Sequence, residues 1–139
     1  MTETRESAVP EAGDVGGSVI VVGYSARAEG RAALQRALSE ATLRGSSLLV
    51  VHPAPDAELS ELEEQLTAVG VPHRIQAARD SVDPADEVLK AAESSNAEFI
   101  VIGLRRRSPV GKLLLGSNAQ RVLLDAGCPV LAVKAAPDI

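Results

Sequence analysis

Short apolar runs alternate along this chain with longer segments in which apolar residues recur at every third or fourth position. The runs are rich in Val, Ile and Leu, which is typical of strands buried on both faces of a sheet. A weaker alternation marks one further strand nearer a sheet edge. The predicted strands are residues 18–23, 47–52, 71–79, 98–103 and 129–134.

The segments between these strands have the spacing of amphipathic helices. In the first of them, Leu34, Leu38 and Ala41 fall on one helical face. Asp83-Pro84 is a typical helix start, because Asp caps a helix and Pro fits its first turn. The predicted helices are residues 28–43, 57–69, 84–95 and 117–126, and several of them end at a glycine.

Strands that alternate with helices in this way form parallel sheets through right-handed crossovers. The sequence therefore predicts an α/β fold, a three-layer doubly wound five-stranded parallel sheet with helices on both faces. Ligands of such folds bind at the carboxyl ends of the strands. The candidate positions follow Gly23, His52, Arg79 and Gly103.

The composition indicates one domain with an aliphatic core. The chain has 139 residues, of which 45% are hydrophobic and 1% are aromatic. Residues 1–17 are rich in Glu, Ser, Gly and Pro and have no apolar periodicity. We therefore expect a disordered tail over residues 1–17 and a single domain over residues 18–139.

Charge and residue types exclude several classes of function. The net charge of −5 argues against a basic face for nucleic acid, and the scarcity of aromatic residues argues against stacking platforms. A single cysteine forms no internal disulfide, and His52 and His73 are too isolated to suggest a metal site. No apolar run reaches the roughly 18 residues of a membrane span, and residues 1–17 lack a signal-peptide core. We expect a cytoplasmic protein with no nucleic-acid, membrane or metal partner.

The segment after the fourth strand gives the strongest indication of chemistry. Gly103 ends the predicted strand, and Gly116-Ser117 precedes a helix whose free amides and dipole favour an anion. Four cations lie between them, and together they form a loop suited to phosphate on an acidic chain: Arg105, Arg106, Arg107 and Lys112. The alternative is that the glycines are ordinary loop residues and the basic run is a solvated surface.

Two common nucleotide motifs are absent. A P-loop requires Ser or Thr after Gly-Lys, whereas Gly111-Lys112 is followed by Leu113. The first strand runs into Tyr24-Ser25 without the Gly-x-Gly-x-x-Gly of dinucleotide-binding folds. Any phosphate site in this chain therefore belongs to another type.

Over about residues 18–134 the sequence resembles the universal stress protein family. Nucleotide-binding members have G-2x-G-9x-G-[S/T] after the fourth strand. This chain has Gly103, two residues, Arg106, nine residues and Gly116-Ser117, and it continues to Cys128-Pro-Val-Leu-Ala-Val133. The first two strands and the segment that begins at Asp83-Pro84 are similar as well.

The resemblance implies the strand order 3-2-1-4-5 and a homodimer in which the last strands pair across a two-fold axis. The strand at Pro129–Lys134 is apolar and would lie at the sheet edge. Because an exposed apolar edge invites pairing with another chain, a dimer through it is physically reasonable. The alternative is that a tail covers the edge.

The family's nucleotide site transfers to this chain only in part. Gly103, Gly116, Ser117, Asn118 and the position of Arg106 would surround the phosphates and ribose. Arg106 stands where the family has a glycine that lets the backbone approach the phosphates. The Arg106 side chain could block the phosphate channel, or its planar guanidinium group could pair with phosphate. The guanidinium group of Arg105 could also pair with phosphate.

Three further positions bear on the adenosine end. Two residues after Gly23, Ser25 stands where ATP-binding members have an Asp that contacts the adenosine. A single hydroxyl group therefore replaces a carboxylate with two acceptor oxygens. Tyr24 is large for its place and could cover the adenine, fill the pocket or simply pack. Pro53 replaces a small residue whose backbone reads the adenine edge, and Pro has no N–H.

From the resemblance we expect a stress-response regulatory protein, not an enzyme, that binds ATP or another adenine nucleotide at the loop after the fourth strand. The alternative is a dimeric interaction module whose pocket is closed by Tyr24, Pro53 and Arg106. We expect His52 and Cys128 to be packed structural residues.

Overall fold

The computed structural model describes residues 18–25, 27–52, 56–77, 83–106 and 113–135. The strands are β1 (Val19–Gly23), β2 (Ser47–His52), β3 (His73–Ala77), β4 (Phe99–Arg106), β5 (Leu113–Leu114) and β6 (Val130–Lys134). The helices are α1 (Ala28–Arg44), α2 (Asp56–Val69), α3 (Pro84–Ser95) and α4 (Ser117–Asp125). The predicted tail over residues 1–17 lies outside the described residues and stays a prediction.

Five of the strands form a parallel sheet in the order β3-β2-β1-β4-β6. This confirms the predicted order 3-2-1-4-5, with β6 as the predicted fifth strand. At its centre, Val21 of β1 lies between Leu49 of β2 and Ile100 of β4. The order reverses beside β1, so the carboxyl ends of β1 and β4 form the switch point at which such folds bind ligands.

The fourth strand is longer than predicted. It continues past Gly103 to Arg106, and its end pairs antiparallel with the two-residue β5. The pairs are Arg105 with Leu114 and Arg106 with Leu113. Gly103 therefore lies within a strand, and its φ is not positive. The prediction that Gly103 ends the strand is wrong, because β6 pairs with the strand as far as Leu104 and β5 pairs with Arg105 and Arg106.

The core lies in two layers, one on each face of the sheet. Ile20 and Val22 face α1 and α2, whereas Val19 and Val21 face α3 and α4. Because successive side chains of a strand point to opposite faces, a strand covered on both sides must be apolar throughout. This explains the continuous apolar runs in the sequence.

The helix ends follow the sequence signals closely. Gly45 ends α1 with a φ of 67°, and its N–H donates to the carbonyl of Ala41. Asp83 occupies the position before α3, as predicted, but its side chain makes no cap hydrogen bond. Its carboxylate instead lies 3.6 Å from Arg121 of α4. Among the helices of the described residues, none has both the length and the apolar character to cross a membrane.

One histidine differs from expectation. The sequence places His73 beside Arg74 on an edge strand and so predicts that it faces solvent, but its side chain is buried. Nδ1 of His73 lies 2.9 Å from the carbonyl oxygen of Val71, and Nε2 lies 3.2 Å from a carboxylate oxygen of Glu63 on α2. The Val71 carbonyl and the Glu63 carboxylate, both hydrogen-bond acceptors, are the polar groups beside this buried ring.

A polar cluster joins the amino ends of the central strands, at the end of the sheet opposite the carboxyl ends where such folds bind ligands. The hydroxyl of Ser18 donates to Glu98 at 2.6 Å, and Arg44 donates to the same carboxylate at 2.7 Å. Arg44 also stacks over the ring of Phe99, 5.0 Å from its centroid. Hydrogen bonds from Ser18 above all, and then from Ser46 and Arg44, lower the pKa of Glu98 despite its partial burial.

Helix α1 lies unusually close to β4. A Cβ atom at Gly103 would overlap the main-chain carbonyl of Glu29 in the first turn of α1. A Cβ at Gly30, one residue further along, would overlap Ser25. Two glycines therefore allow the start of α1 to pack directly on β4 and on the loop after β1. This contact places the first turn of α1 beside the carboxyl ends of the strands.

We expect Gly103→Ala to lower the free energy of unfolding by about 3 kcal/mol, because the added methyl group has no space beside the Glu29 carbonyl. Gly127→Ala is the matched control, since a Cβ at Gly127 meets nothing within 4 Å. Urea denaturation followed by circular dichroism measures both. Equal stability of the two variants would contradict the close contact.

We expect Glu98→Gln to lower the free energy of unfolding at pH 7 by about 1 kcal/mol. Because folding lowers the pKa of Glu98, its contribution is complete above the unfolded value of about 4.3 and is lost as the pH falls through the folded value. The difference between native protein and variant should therefore shrink below about pH 4. Urea denaturation from pH 7 to pH 3 tests this, with Glu93→Gln on the exposed face of α3 as the control. A pH-independent difference would refute the ionic contribution.

Candidate functional site

A cavity of about 330 Å³ lies at the carboxyl ends of β1 and β4, where the starts of α1, α3 and α4 converge. It brings together most of the residues that the sequence singled out. These are Gly23, Tyr24, Ser25, Gly103, Arg105, Gly116, Ser117 and Asn118. Residues as far apart in the chain as Gly23 and Asn118 thus share one site.

Two predicted site residues are not placed in this cavity. Pro53 lies outside the described residues. Arg106 is the last residue of β4, but its side chain lies outside the described part of the chain, as do Arg107 and Lys112. The predictions for these side chains stay predictions.

A second, larger cavity of about 670 Å³ lies between α3 and the end of α4. It lies away from the carboxyl ends of the strands, where doubly wound folds bind ligands. Cys128 is one of the residues that line it. Burial raises the pKa of the Cys128 thiol, which favours the protonated and less reactive form. The smaller cavity is therefore the candidate functional site.

The start of α4 supplies anion-binding groups to the site. Gly116 is the residue before the helix, and its carbonyl accepts the N–H of Gln120 at 3.0 Å. The amides of the first turn have no partners within the helix, and the helix dipole adds partial positive charge there. No acidic residue lies in this first turn, so Ser117 and Asn118 present an uncompensated positive end to the cavity.

Arg105 adds a full positive charge beside these amides. It lies two residues beyond Gly103, so both face the α1 side of the sheet. Its Nη2 lies 3.8 Å from the position that a Cβ of Gly116 would occupy. Its Nε lies 3.6 Å from a carboxylate oxygen of Glu29. The guanidinium group therefore lies between the starts of α1 and α4.

The sequence did not point to three residues that line the cavity: Arg27, Glu29 and Gly30. An acidic residue in the first turn of a helix is ordinarily explained by the helix dipole, so Glu29 gave no signal of its own. A glycine inside a helix costs about 1 kcal/mol, and Gly30 could have indicated a close approach. The position of Arg27 before α1 carries no such signal.

Tyr24 is held firmly at the adenosine end of the predicted site. Its ring meets His52 edge to face, with 5.9 Å between centroids and 84° between planes. It also packs against the core on the α1 side, while His52 is fully buried. Ser25 lies next to it, and the hydroxyl of Ser25 accepts the N–H of Arg27 at 3.4 Å.

Arg121 ties two walls of the cavity together. This residue of α4 lies 2.6 Å from Asp86 of α3, 3.1 Å from Asp125 and 3.6 Å from Asp83. The hydrogen bond to Asp125 and the charge of Asp86 raise the pKa of Arg121. A third acidic residue near the start of α3, Glu87, accepts a hydrogen bond from the side-chain amide of Gln76 at 3.2 Å. Within the described residues, no group of three His, Cys, Asp or Glu side chains could hold a metal ion.

Comparison with known proteins identifies the relatives of this chain. A model of the universal stress protein family matches residues 56–134. A universal stress protein of Mycolicibacterium smegmatis is 46% identical over an alignment of length 127 that covers 84% of this chain and 97% of that protein.

Two solved structures show a similar fold with a nucleotide. The universal stress protein from Archaeoglobus fulgidus in complex with dAMP is 29% identical with a TM-score of 0.58, over 85% of this chain and 98% of that one. A universal stress protein in complex with cAMP is 25% identical with a TM-score of 0.68, over 84% and 95% of the two chains. Because the family model spans more than half of the sequence and the mycobacterial relative matches most of it, this chain belongs to the universal stress protein family.

Proposed function

We propose that this chain is a cytoplasmic stress-response regulator that binds an adenine nucleotide in the cavity at the ends of β1 and β4. One observation carries the proposal: the anion-binding start of α4, the guanidinium of Arg105 and the adenosine-side residues after β1 line a single cavity. The relatives in complex with dAMP and cAMP support the choice of an adenine nucleotide.

The geometry suggests how a nucleotide would lie. The phosphate would accept hydrogen bonds from the amides of Ser117 and Asn118 and from Arg105, since charge-assisted bonds are the strongest available there. The adenosine end would extend towards Tyr24 and Ser25 at the end of β1. Gly116 leaves the approach to the helix start free of a side chain.

The proposed role is binding and not catalysis. Universal stress proteins are generally non-enzymatic regulators. The groups that line the cavity are suited to holding an anion, and its one described carboxylate, that of Glu29, is engaged with Arg105.

A second candidate function is a dimeric interaction module that binds no nucleotide. The observation that favours it is the ring of Tyr24, which lines the cavity while His52 and the core hold it in place. The volume of about 330 Å³ is also near the lower end of typical ligand cavities, which begin at about 300 Å³. In this alternative, Pro53 and Arg106 close the pocket together with Tyr24.

We further propose a homodimer through β6. Among the described strands, β6 pairs with β4 alone, and Val130 to Val133 are only half-buried. The carbonyl of Pro129 accepts the N–H of Ile100, so the main-chain groups of alternate residues, including Ala132, point to the open edge. Pairing this edge with a second copy would bury its apolar side chains and satisfy those groups.

We expect isothermal titration of nucleotide-free protein to give measurable binding of AMP, cyclic AMP or ATP. Arg105→Ala should weaken AMP binding about tenfold, because it removes a charge-assisted bond to phosphate. Arg74→Ala removes the same charge from the exposed face of β3 and should leave binding unchanged.

The interaction-module alternative makes the opposite forecast for the same titration. The native chain would give no heat with any of the three nucleotides, whereas Arg106→Gly would restore ATP binding by opening the channel. Binding by the native chain would exclude this alternative, and absence of binding by the folded chain would exclude the nucleotide proposal.

We expect the native protein to sediment as a dimer and Ala132→Pro to sediment as a monomer. Proline removes an outward N–H from the edge and keeps the bonds to β4, so it acts on the pairing with a second copy. Ala132→Ser keeps the N–H and should remain dimeric. Analytical ultracentrifugation at several concentrations measures this, and a native monomer at tens of micromolar would rule the dimer out.

A further inference from the structure

A carboxylate lies at the phosphate end of the proposed nucleotide site. Glu29 is in the first turn of α1, and its main-chain carbonyl packs on β4 at Gly103. Its side chain lines the cavity and is 20% exposed. The backbone contact fixes the position of the first turn, so the Glu29 side chain starts beside the cavity and beside Arg105.

Glu29 engages the same guanidinium that a phosphate would use. The distance of 3.6 Å between Nε of Arg105 and the carboxylate of Glu29 is an ionic contact, longer than a good hydrogen bond. Arg has five N–H donors, and Nη2 of Arg105 lies towards Gly116 at the start of α4. Arg105 can therefore bind a phosphate while Glu29 stays nearby, but the carboxylate offsets its positive charge.

The described cavity wall carries one more positive than negative charge. Arg27 and Arg105 contribute two positive charges and Glu29 contributes one negative charge. A ligand with one phosphate meets a wall of net positive charge, whereas each further phosphate adds negative charge close to Glu29 and is repelled.

We propose that Glu29 is a specificity-determining residue that restricts the charge of the bound nucleotide, so that adenine nucleotides with one phosphate bind more tightly than ATP. This inference rests on the proposed nucleotide site. Glu29 acts in two ways: it competes with the ligand for Arg105, and it repels the outer phosphates. Removing its charge should benefit ATP more than AMP.

The test compares AMP and ATP binding to the native protein and to Glu29→Gln by isothermal titration without divalent cations. We expect the native protein to prefer AMP. The variant should bind AMP about threefold more tightly and ATP about tenfold or more, so the preference for AMP shrinks or reverses. Circular dichroism checks that the variant is folded.

Two further variants separate a specific effect from a general one. Glu40→Gln removes the same charge from the same helix, but about 16 Å further along its axis, and should not change the preference. Glu29→Asp keeps a carboxylate in the cavity and should keep the preference for AMP. A change in preference with Glu40→Gln, or its loss with Glu29→Asp, would overturn the assignment to Glu29.

The ionic strength dependence of the native protein gives a test that needs no variant. If Glu29 repels the outer phosphates, the preference for AMP over ATP should be largest at low salt and should shrink as salt screens the repulsion. A preference for ATP that grows at low salt would overturn the inference, because it would mean that attraction prevails at the phosphate end.

The outcomes distinguish this inference from the proposed function. If both proteins bind nucleotide and Glu29→Gln leaves the ATP-to-AMP ratio unchanged, the role of Glu29 is overturned and the nucleotide site stands. If neither the native protein nor the variant binds any adenine nucleotide, the proposed function fails and the role of Glu29 fails with it.

Discussion

The first turn of α1 lies against β4 at a point where the strand has no side chain, and the candidate site depends on this contact. Gly103 leaves room for the carbonyl of Glu29, and Gly30 leaves room for Ser25. The contact brings the start of α1, the end of β4 and the loop after β1 to one place. It also places the first turn of α1 so that Glu29 lies beside Arg105, and the same contact therefore bears on both the shape and the charge of the cavity.

The parallel sheet determines where polar groups of the central strands can lie. Because both faces of the sheet are covered, polar groups of the central strands are confined to their ends. Glu98, Ser18 and Arg44 join the amino ends, and the cavity lies at the carboxyl ends. The two ends therefore differ in their polar groups. At the amino ends the charges of Glu98 and Arg44 pair with each other, whereas at the carboxyl ends the amides of α4 and Arg105 line the cavity. Arg121 then holds α4, which supplies those amides, against α3.

Much of the fold could be predicted because its signals are local. The bounds of β2 are as predicted and those of β1 and β6 differ by one residue, since a continuous apolar run has few ways to be buried. The end of β4 was missed because Gly103, Arg105 and Arg106 interrupt the apolar run, and their place in the strand depends on pairing with β5 and β6. His73 was misjudged because its burial depends on Glu63 of α2, which no local pattern connects to it. Membership of the universal stress protein family followed from motif spacing and is confirmed.

The sequence by itself determined the parallel α/β fold, its strand order through the family resemblance, and the glycines and cations from which a phosphate site could form. Only the tertiary structure decided that Gly103 serves the packing of α1, that Tyr24 rests on His52, and that Glu29 faces Arg105. The physical reason is one of range. Apolar periodicity and helix-end signals act between neighbours in the chain, whereas the charge of a site depends on which side chains approach across separate elements, and that is settled by contacts between backbones.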